Sequence, residues 1–443
     1  MPASTVPTTD ATPAPASART AIAPGVSRAL DVLRGLAALA VVVQHARTYL
    51  FADLELMHPQ SLAVRAVYFA TGFGHAAVMV FFVLSGFLVG GSALSAIEAG
   101  RFSWRRYLLQ RGTRLWIVLL PALALTAAWD HAGLLVTAHP QTLAAHARTN
   151  PFAGHPWTVE GHGVAAFVGN ALFLMNVLVP TFGTNGSLWS LANELWYYVL
   201  FPLAAIAVIG RRDSRRALVS ILLFALVARF VGNEILCWGS IWLMGTAVAR
   251  APRLALSRRV SSALTVAIGI ALAGVLVHDR LTANGIALSR DAIVGALFAL
   301  LLYALRCMPH EDRREDRRAA SAPAHAPSWI ARPCLALAGF GYTLYLVHEP
   351  PLAFLREWII ARPHHRWTPS PAHLALGAAI VIALVAYAYA ISRVTEARTD
   401  RVRAWLQRRL AAWHPSLAPA THRLAAAAER IAPAPTWQTT AEG

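Results

Sequence analysis

Long apolar runs recur along the whole chain, and short polar segments that carry arginine separate them. An α-helix needs about 20 apolar residues to cross the hydrocarbon core of a bilayer, and most of these runs approach that length. The pattern therefore predicts an all-α polytopic membrane protein with about ten transmembrane helices. The predicted spans lie near residues 29–50, 75–97, 113–135, 187–209, 217–232, 235–249, 261–277, 287–306, 334–357 and 373–393.

One further apolar run, at 163–180, is short and is interrupted by Pro180 and by the nearby Gly183 and Gly186. Basic loops mark the cytoplasmic side of a membrane protein, and an odd number of crossings must separate the external segment from the next basic loop. The longer run at 187–209 supplies that crossing. The run at 163–180 is therefore predicted to be a re-entrant or interfacial helix.

The distribution of arginine predicts the orientation of the chain. Arginines flank the first two spans and follow every second span after them, which places both termini in the cytoplasm. Residues 1–27 are predicted to be a disordered tail, residues 28–396 a transmembrane domain, and residues 397–443 a basic tail, either an amphipathic helix on anionic lipid or solvated chain. The predicted location is the cell inner membrane, as a multi-pass protein.

The composition narrows the functional class. The chain of 443 residues is 56% hydrophobic and 14% charged, which is not the composition of a soluble globular protein. Its formal net charge of +17 lies in the loops between apolar runs, so it indicates topology rather than a nucleic-acid partner. The chain has no lysine, so it lacks the phosphate-binding lysine of ATP-driven transporters.

The first span contains ionisable residues, which are costly in a membrane and often mark a functional site. Arg34 and His45 are about three helical turns apart, roughly 16 Å along one helix face, and Asp31 lies near the same face. Two interpretations stay open from this span alone: a functional site, or a structural ion pair and a hydrogen-bonded histidine.

Three proton-transfer side chains are predicted to lie at one depth. A rise of about 1.5 Å per residue places His45 and His348 roughly 20 Å from the cytoplasmic ends of their spans. Glu194 enters from the opposite side and lies roughly 10 Å down, which is the same layer of a core about 30 Å thick. A histidine beside a carboxylate is suited to general acid–base chemistry on a hydroxyl group.

Other polar residues admit two interpretations each. Arg111 and Arg114 lie one turn apart at the start of the third span and are suited to a phosphate, although arginines there also set topology. Ser85 lies within an apolar, glycine-rich span, where packing is a more common role than nucleophilic attack. Trp189 either lines a sugar site by stacking or anchors the helix at the membrane interface. The cysteines and external histidines show no metal-ligand spacing, and no metal site is predicted.

With these residues identified, the chain resembles the acyltransferase-3 family of integral membrane acyltransferases over most of residues 27–396. Two positions depart from the family pattern: Tyr197 replaces the usual Phe, and Gly341 replaces the common Ser before Tyr342. The matching motifs follow the family order: Arg34-x10-His45; VFFVLSGFLVG around Ser85; Arg111-x-x-Arg114; SLWSLANELWYYVLFP with Glu194; and GYTLYLVHEP with Tyr342, Tyr345 and His348.

The resemblance implies transfer of an acyl group, often acetyl, from cytoplasmic acyl-CoA to a hydroxyl of a carbohydrate or glycolipid acceptor. It implies that His45 is the catalytic base, that Glu194 orients it or relays protons, and that Arg111 and Arg114, with Arg34, bind CoA phosphates. Ser85, Trp189, Tyr342, Tyr345 and His348 are the further candidates for the acceptor site or the pocket. Acyl-CoA is a donor substrate in this scheme, and no permanently bound cofactor is expected.

Two alternatives stay open at the level of the sequence. The same fold can use a succinyl donor and a periplasmic glucan, because the choice of acyl group depends on pocket shape. A proton-coupled transporter or flippase is the alternative from another class, with His45, Glu194 and His348 as a proton relay. The chain shows no internal repeat of the kind that many transporters have.

Overall fold

The structure is a computed structural model that describes residues 24–57, 60–136, 159–210, 213–282, 288–309, 331–360 and 365–413. Within these ranges the chain forms helices, and pairing between extended segments is limited to two isolated bridges. The helices are α1 (Pro24–Leu50), α2 (Leu62–Ala70), α3 (Gly74–Ser85), α4 (Gly91–Glu98), α5 (Trp104–Val136), α6 (Val164–Ala171), α7 (Leu188–Ile209), α8 (Ser214–Arg250), α9 (Arg258–Thr282), α10 (Leu288–Arg306), α11 (Ala331–Ala338), α12 (Gly341–Val347), α13 (Glu349–Ile360), α14 (Pro371–Val394) and α15 (Thr399–Trp413).

The predicted fold class, an all-helical polytopic membrane protein, is confirmed. In the described part of the chain, 8 helices are long and apolar enough to cross a membrane. Their outer faces are apolar: Leu222 on α8 and Ile270 on α9 are 60% and 68% exposed. Apolar surface on this scale is suited to contact with lipid rather than water.

Two predicted spans differ in form from the simple helices expected. The spans near 217–232 and 235–249 form the single long segment α8, which is interrupted at Gly232, where φ is 80°. A positive φ is readily adopted by glycine and breaks the helical hydrogen-bond ladder. The span near 334–357 consists of the short helices α11, α12 and α13 in series. The count of ten crossings and the cytoplasmic position of both termini stay predictions.

The prediction of a helix over 163–180 is wrong in its extent. Helix α6 ends at Ala171, and a folded loop follows up to α7. The side chain of Asn170 stops the helix, because its amide donates to the Pro180 carbonyl (2.8 Å) and its oxygen accepts from the Phe182 amide (3.0 Å). These bonds fold the loop back on the helix that precedes it.

The loop at 181–187 is buried in the protein. The Asp130 carboxylate accepts a hydrogen bond from the Thr184 amide (2.9 Å), and the Asn185 side chain donates to the Leu346 carbonyl on α12 (2.9 Å). Non-helical backbone in a membrane protein requires such internal partners. The loop therefore holds the start of α7 against α5 and α12.

The predicted tails extend beyond the described residues. Helix α1 already begins at Pro24, so residues 24–27 of the predicted N-terminal tail are helical, and residues 1–23 lie outside the described part. In the predicted C-terminal tail, α15 forms a helix over Thr399–Trp413, and residues 414–443 lie outside the described part.

A π-helical turn, Gly86–Gly90, separates α3 from α4 and packs directly against α8. A Cβ atom at Gly86 would overlap the carbonyl oxygen of Trp242, and one at Gly245 would overlap that of Val83. The Thr246 hydroxyl donates to the Gly86 carbonyl at 3.0 Å. Small residues thus let two helix backbones touch, as they commonly do in membrane proteins, and π-helical turns are frequent at functional sites.

Candidate active site

A cavity of about 180 Å³ lies among α1, α3, α5, α7 and α12. Its lining combines arginine, a carboxylate and hydroxyl groups with apolar side chains from α3 and α7. Most of the sequence-predicted site residues meet here, although they come from distant parts of the chain. Those that line the cavity are Arg34, Ser85, Arg111, Arg114, Glu194, Tyr342 and Tyr345.

The arginines differ in their partners. Arg34 forms the ion pair with Asp31 (3.1 Å) that the structural interpretation of the first span expected. It also lines the cavity. Arg111 donates to the Ser92 hydroxyl at 3.4 Å, and its Nε atom is buried without a hydrogen-bond partner among the described residues. Helix α5 begins at Trp104, so Arg111 and Arg114 lie inside the helix rather than at its start.

His45 and His348 contact each other directly. His45 Nδ1 lies 2.9 Å from His348 Nε2, and the two rings are stacked with centroids 5.0 Å apart. His348 is fully buried and His45 is half-buried. Neither ring lines the cavity, but the ring of Tyr345, which does, has its centroid 6.2 Å from that of His348.

The neighbours of this pair determine which ring nitrogen donates and which accepts each hydrogen bond. His348 Nδ1 lies 3.0 Å from the Leu344 carbonyl oxygen, which can only accept a hydrogen bond. In a neutral His348 the proton is therefore on Nδ1, and Nε2 accepts a hydrogen bond from His45 Nδ1–H. That assignment leaves the lone pair of His45 on Nε2, which is the state that a general base requires.

Glu194 lies in a separate polar cluster. Its Oε1 atom accepts hydrogen bonds from the Ser85 hydroxyl (2.8 Å) and from the Tyr198 hydroxyl. The Trp242 indole donates to Ser85 Oγ at 3.1 Å, so the Ser85 hydroxyl both donates and accepts. The contact of His45 in the described structure is with His348 rather than with Glu194. The expected pairing of His45 with Glu194 is thus not what the geometry presents.

A buried carboxylate beside the histidines escaped the sequence reasoning. Glu349 accepts hydrogen bonds from the Tyr49 hydroxyl (2.8 Å) and from the Ser187 amide (2.6 Å) and hydroxyl (2.8 Å). Tyr49 lies one turn after His45, and Glu349 directly follows His348. The signal was present in the sequence, since an acid next to a histidine in an apolar run is itself a costly feature.

The remaining candidates have structural contacts. Trp189 is buried and packs edge-to-face against Phe82 and Trp238, and it does not line the cavity. Tyr342 lines the cavity and donates to the Leu115 carbonyl at 3.1 Å. Within the described residues, no group of His, Cys, Asp or Glu side chains is arranged to hold a metal ion.

The cavity combines arginines, a carboxylate and hydroxyl groups, and the histidine pair lies beside it, next to Tyr345. Such a set of groups is suited to binding an anionic donor and to proton transfer at a hydroxyl. The family model Acyl_transf_3, described as an acyltransferase domain, matches residues 27–390, a range that includes every residue of the site. No curated protein and no solved structure matches the chain. The match over most of the chain confirms the resemblance, and the protein belongs to the acyltransferase-3 family of membrane acyltransferases.

Proposed function

We propose that the protein transfers an acyl group, in the first instance acetyl, from acyl-CoA to a hydroxyl of a carbohydrate or glycolipid acceptor. The observation that carries this proposal is the histidine pair, in which His348 holds His45 with its Nε2 lone pair free. The proposed location is the inner membrane, with the basic end of the cavity toward the cytoplasm.

In the proposed reaction, His45 Nε2 accepts the proton of the acceptor hydroxyl. The oxygen forms a bond to the carbonyl carbon of the thioester, the carbon–sulfur bond breaks, and the CoA thiolate takes up the proton to leave as the thiol. His348 is a positioning residue in this scheme, because it fixes the tautomer of His45. Proton transfer of this kind contributes about 10²–10⁴-fold to a rate.

The cavity supports binding of the donor. Arg111 and Arg114, with Arg34, supply positive charge for phosphate groups at one end. The Glu194 carboxylate has a free Oε2 lone-pair site among its described contacts and lines the same cavity, where it is placed to accept from amide N–H groups of the donor arm. We therefore assign Glu194 to donor binding rather than to orientation of His45.

The test is transfer of radiolabelled acetyl from acetyl-CoA into glycan and lipid fractions of membranes that retain their own acceptors. We expect the wild type to transfer label, His45→Ala to lose about 10²–10⁴-fold in rate, and Arg114→Ala to raise the KM for acetyl-CoA. Glu194→Gln is expected to raise that KM with little change in kcat. His278→Ala, an exposed histidine on α9, and Arg105→Ala, an exposed arginine outside the cavity, are the matched controls.

Normal transfer by His45→Ala would show that the proposed base is wrong. A fall in kcat at unchanged KM in Glu194→Gln would return Glu194 to the proton-transfer role. Label that enters only from succinyl-CoA would change the donor and leave the mechanism intact, whereas no transfer from either donor would contradict the proposed function.

A further inference from the structure

A second and larger cavity, of about 520 Å³, lies at the end of the bundle that carries the basic loop between α4 and α5. Its walls come from the π-helical turn and α4, from the loop at 99–103, from the first turns of α5, and from the ends of α8 and α10. Apart from Arg111, and from Phe87 and Leu88 of the VFFVLSGFLVG motif, none of its residues was singled out by the sequence patterns. The cavity is therefore a feature that the predicted site leaves unexplained.

The charge of this cavity is of one sign. Arg101, Arg106, Arg111 and Arg306 line it, and no Asp or Glu is among its lining residues. Arg306 is buried and donates to the Ala251 carbonyl at 2.8 Å, so its charge is held in place. The nearby acid Glu98 is already paired with Arg250 at 2.7 Å. The cavity is thus suited to a ligand with more than one negative charge.

Two buried polar atoms of the lining lack a hydrogen-bond partner among the described residues: the hydroxyl of Tyr107 and Nε of Arg111. Tyr107 is only 6% exposed. Buried polar groups are nearly always hydrogen-bonded, so each unsatisfied group calls for an explanation. A bound ligand with acceptor oxygens would satisfy both. Beside them, the rings of Phe102 and Tyr107 pack together at 5.3 Å and offer apolar surface for a planar base.

The two cavities are adjacent and share part of their lining. Leu88 and Arg111 contribute to both. A ligand anchored by phosphates in the larger cavity can therefore extend a flexible arm past these side chains toward Ser85 and Glu194. The arrangement matches a donor whose reactive thioester is separated from a phosphorylated nucleotide by a long arm.

We propose that the larger cavity binds the nucleotide end of the acyl donor, an adenosine group with 3′- and 5′-phosphates. Arg101 and Arg106 contact the phosphates, Tyr107 and Arg111 complete their hydrogen bonds, and Phe102 contacts the base. This inference rests on the proposed function for the identity of the donor. Arg101 and Arg106 are thereby donor-binding residues outside the motifs of the family resemblance.

The first test measures binding without acyl transfer. The full chain is placed in nanodiscs of phosphatidylcholine and titrated calorimetrically with adenosine 3′,5′-bisphosphate. We expect Arg106→Gln and Arg101→Gln each to weaken binding about tenfold, the loss of one charge-assisted contact. Arg105→Gln is the matched control, since Arg105 is an exposed neighbour that does not line the cavity, and it should bind like the wild type.

The phosphate of an anionic lipid headgroup offers the same chemistry, and a second set of nanodiscs containing phosphatidylglycerol distinguishes the two sources. The proposal is overturned if the bisphosphate fails to bind, or binds equally to the Arg106→Gln variant. It is also overturned if phosphatidylglycerol alone stabilises the wild type and this effect is lost in Arg106→Gln.

A kinetic test separates this inference from the proposed function. Acetyl-CoA and S-acetylpantetheine, which lacks the nucleotide, are compared as donors. We expect Arg106→Gln to raise the KM for acetyl-CoA about tenfold and to leave that for S-acetylpantetheine unchanged. An equal change with both donors would contradict the nucleotide site but not the transferase. Binding of the bisphosphate without transfer from any donor would contradict the transferase but not the nucleotide site.

Discussion

At the scale of single residues, one carbonyl oxygen sets the chemistry of the histidine pair. The Leu344 carbonyl accepts a hydrogen bond from His348 Nδ1–H, and the tautomer of His348 that this bond selects in turn sets the tautomer of His45. The proposed base, His45, is thus oriented by His348, and neither ring lines the cavity. Its tautomer depends on a backbone atom that no sequence pattern reveals.

Loss of His348 is expected to reduce turnover without weakening donor binding. His348→Ala removes the acceptor for His45 Nδ1, so kcat should fall by roughly ten- to a hundredfold, less than in His45→Ala. His348→Gln retains an acceptor oxygen and should recover part of the loss. Initial rates over a range of pH check this, because a positioning role also displaces the inflection of the pH–rate profile. An unchanged kcat in both variants would leave His348 with a purely structural role.

At the scale of elements, the π-helical turn Gly86–Gly90 links the packing of α3 against α8 to the polar cluster of Glu194. Ser85 precedes the turn and binds both Glu194 and the Trp242 indole. The turn keeps Ser85 facing α8 because Gly86 lets the two backbones touch. A sequence rich in glycine and serine predicted close packing here, but the extra residue of a π turn has no simple periodic pattern.

Gly86→Ala is expected to destabilise the protein by about 1–3 kcal/mol, because the new methyl group overlaps the Trp242 carbonyl and the helices must separate. The midpoint of thermal unfolding in detergent measures this loss. Gly274→Ala on α9 is the matched control, because the Cβ atom that it adds would meet open space. Alanine also favours a helix by about 0.5–1 kcal/mol over glycine. Equal midpoints for the two variants would show that the close contact does not contribute to stability.

Elements were predicted best where the apolar pattern was longest. The runs near 29–50, 113–135 and 187–209 form α1, α5 and α7 as expected. The run at 163–180 failed because the side chain of Asn170 closes a loop through bonds to residues that follow it. A hydropathy average over the run gives one polar side chain little weight, and it contains no information about hydrogen bonds that form only in the folded loop.

At the scale of the whole molecule, the sequence indicated that distant residues lie near one site, but it did not indicate which of them contact each other. Depth along a span placed His45, Glu194 and His348 in one layer, and the structure brings all three into or beside the site. Depth fixes the position along a helix axis, but not the rotation of the helix or the identity of its neighbour. The pairing of His45 with His348, which are 303 residues apart, depends on those two quantities.

Long-range contacts of this kind hold the two histidines together. The hydrogen bond from Tyr49 to Glu349 is a second link, besides the His45–His348 contact, between α1 and the region of the chain about His348, 300 residues away. Ser187, just before α7, donates to the same Glu349 carboxylate. The carboxylate is buried, so its hydrogen bonds replace those it would make with water. The candidate active site therefore depends on how α1, α7 and α13 assemble.

This assembly predicts that a hydroxyl outside the cavity controls turnover. Tyr49→Phe removes one donor to Glu349, which costs about 1 kcal/mol of stability and loosens α1 near His45, so kcat should fall roughly fivefold with the donor KM unchanged. Tyr387→Phe is the matched control, because it also removes a part-buried hydroxyl contact, in which Tyr387 accepts from the Trp129 indole (3.0 Å), but away from the site. We expect a similar loss in the thermal midpoint for both variants and a loss of kcat in Tyr49→Phe alone. If both variants lose turnover equally, the effect reflects general stability, and the Tyr49–Glu349 bond has no specific role in positioning the base.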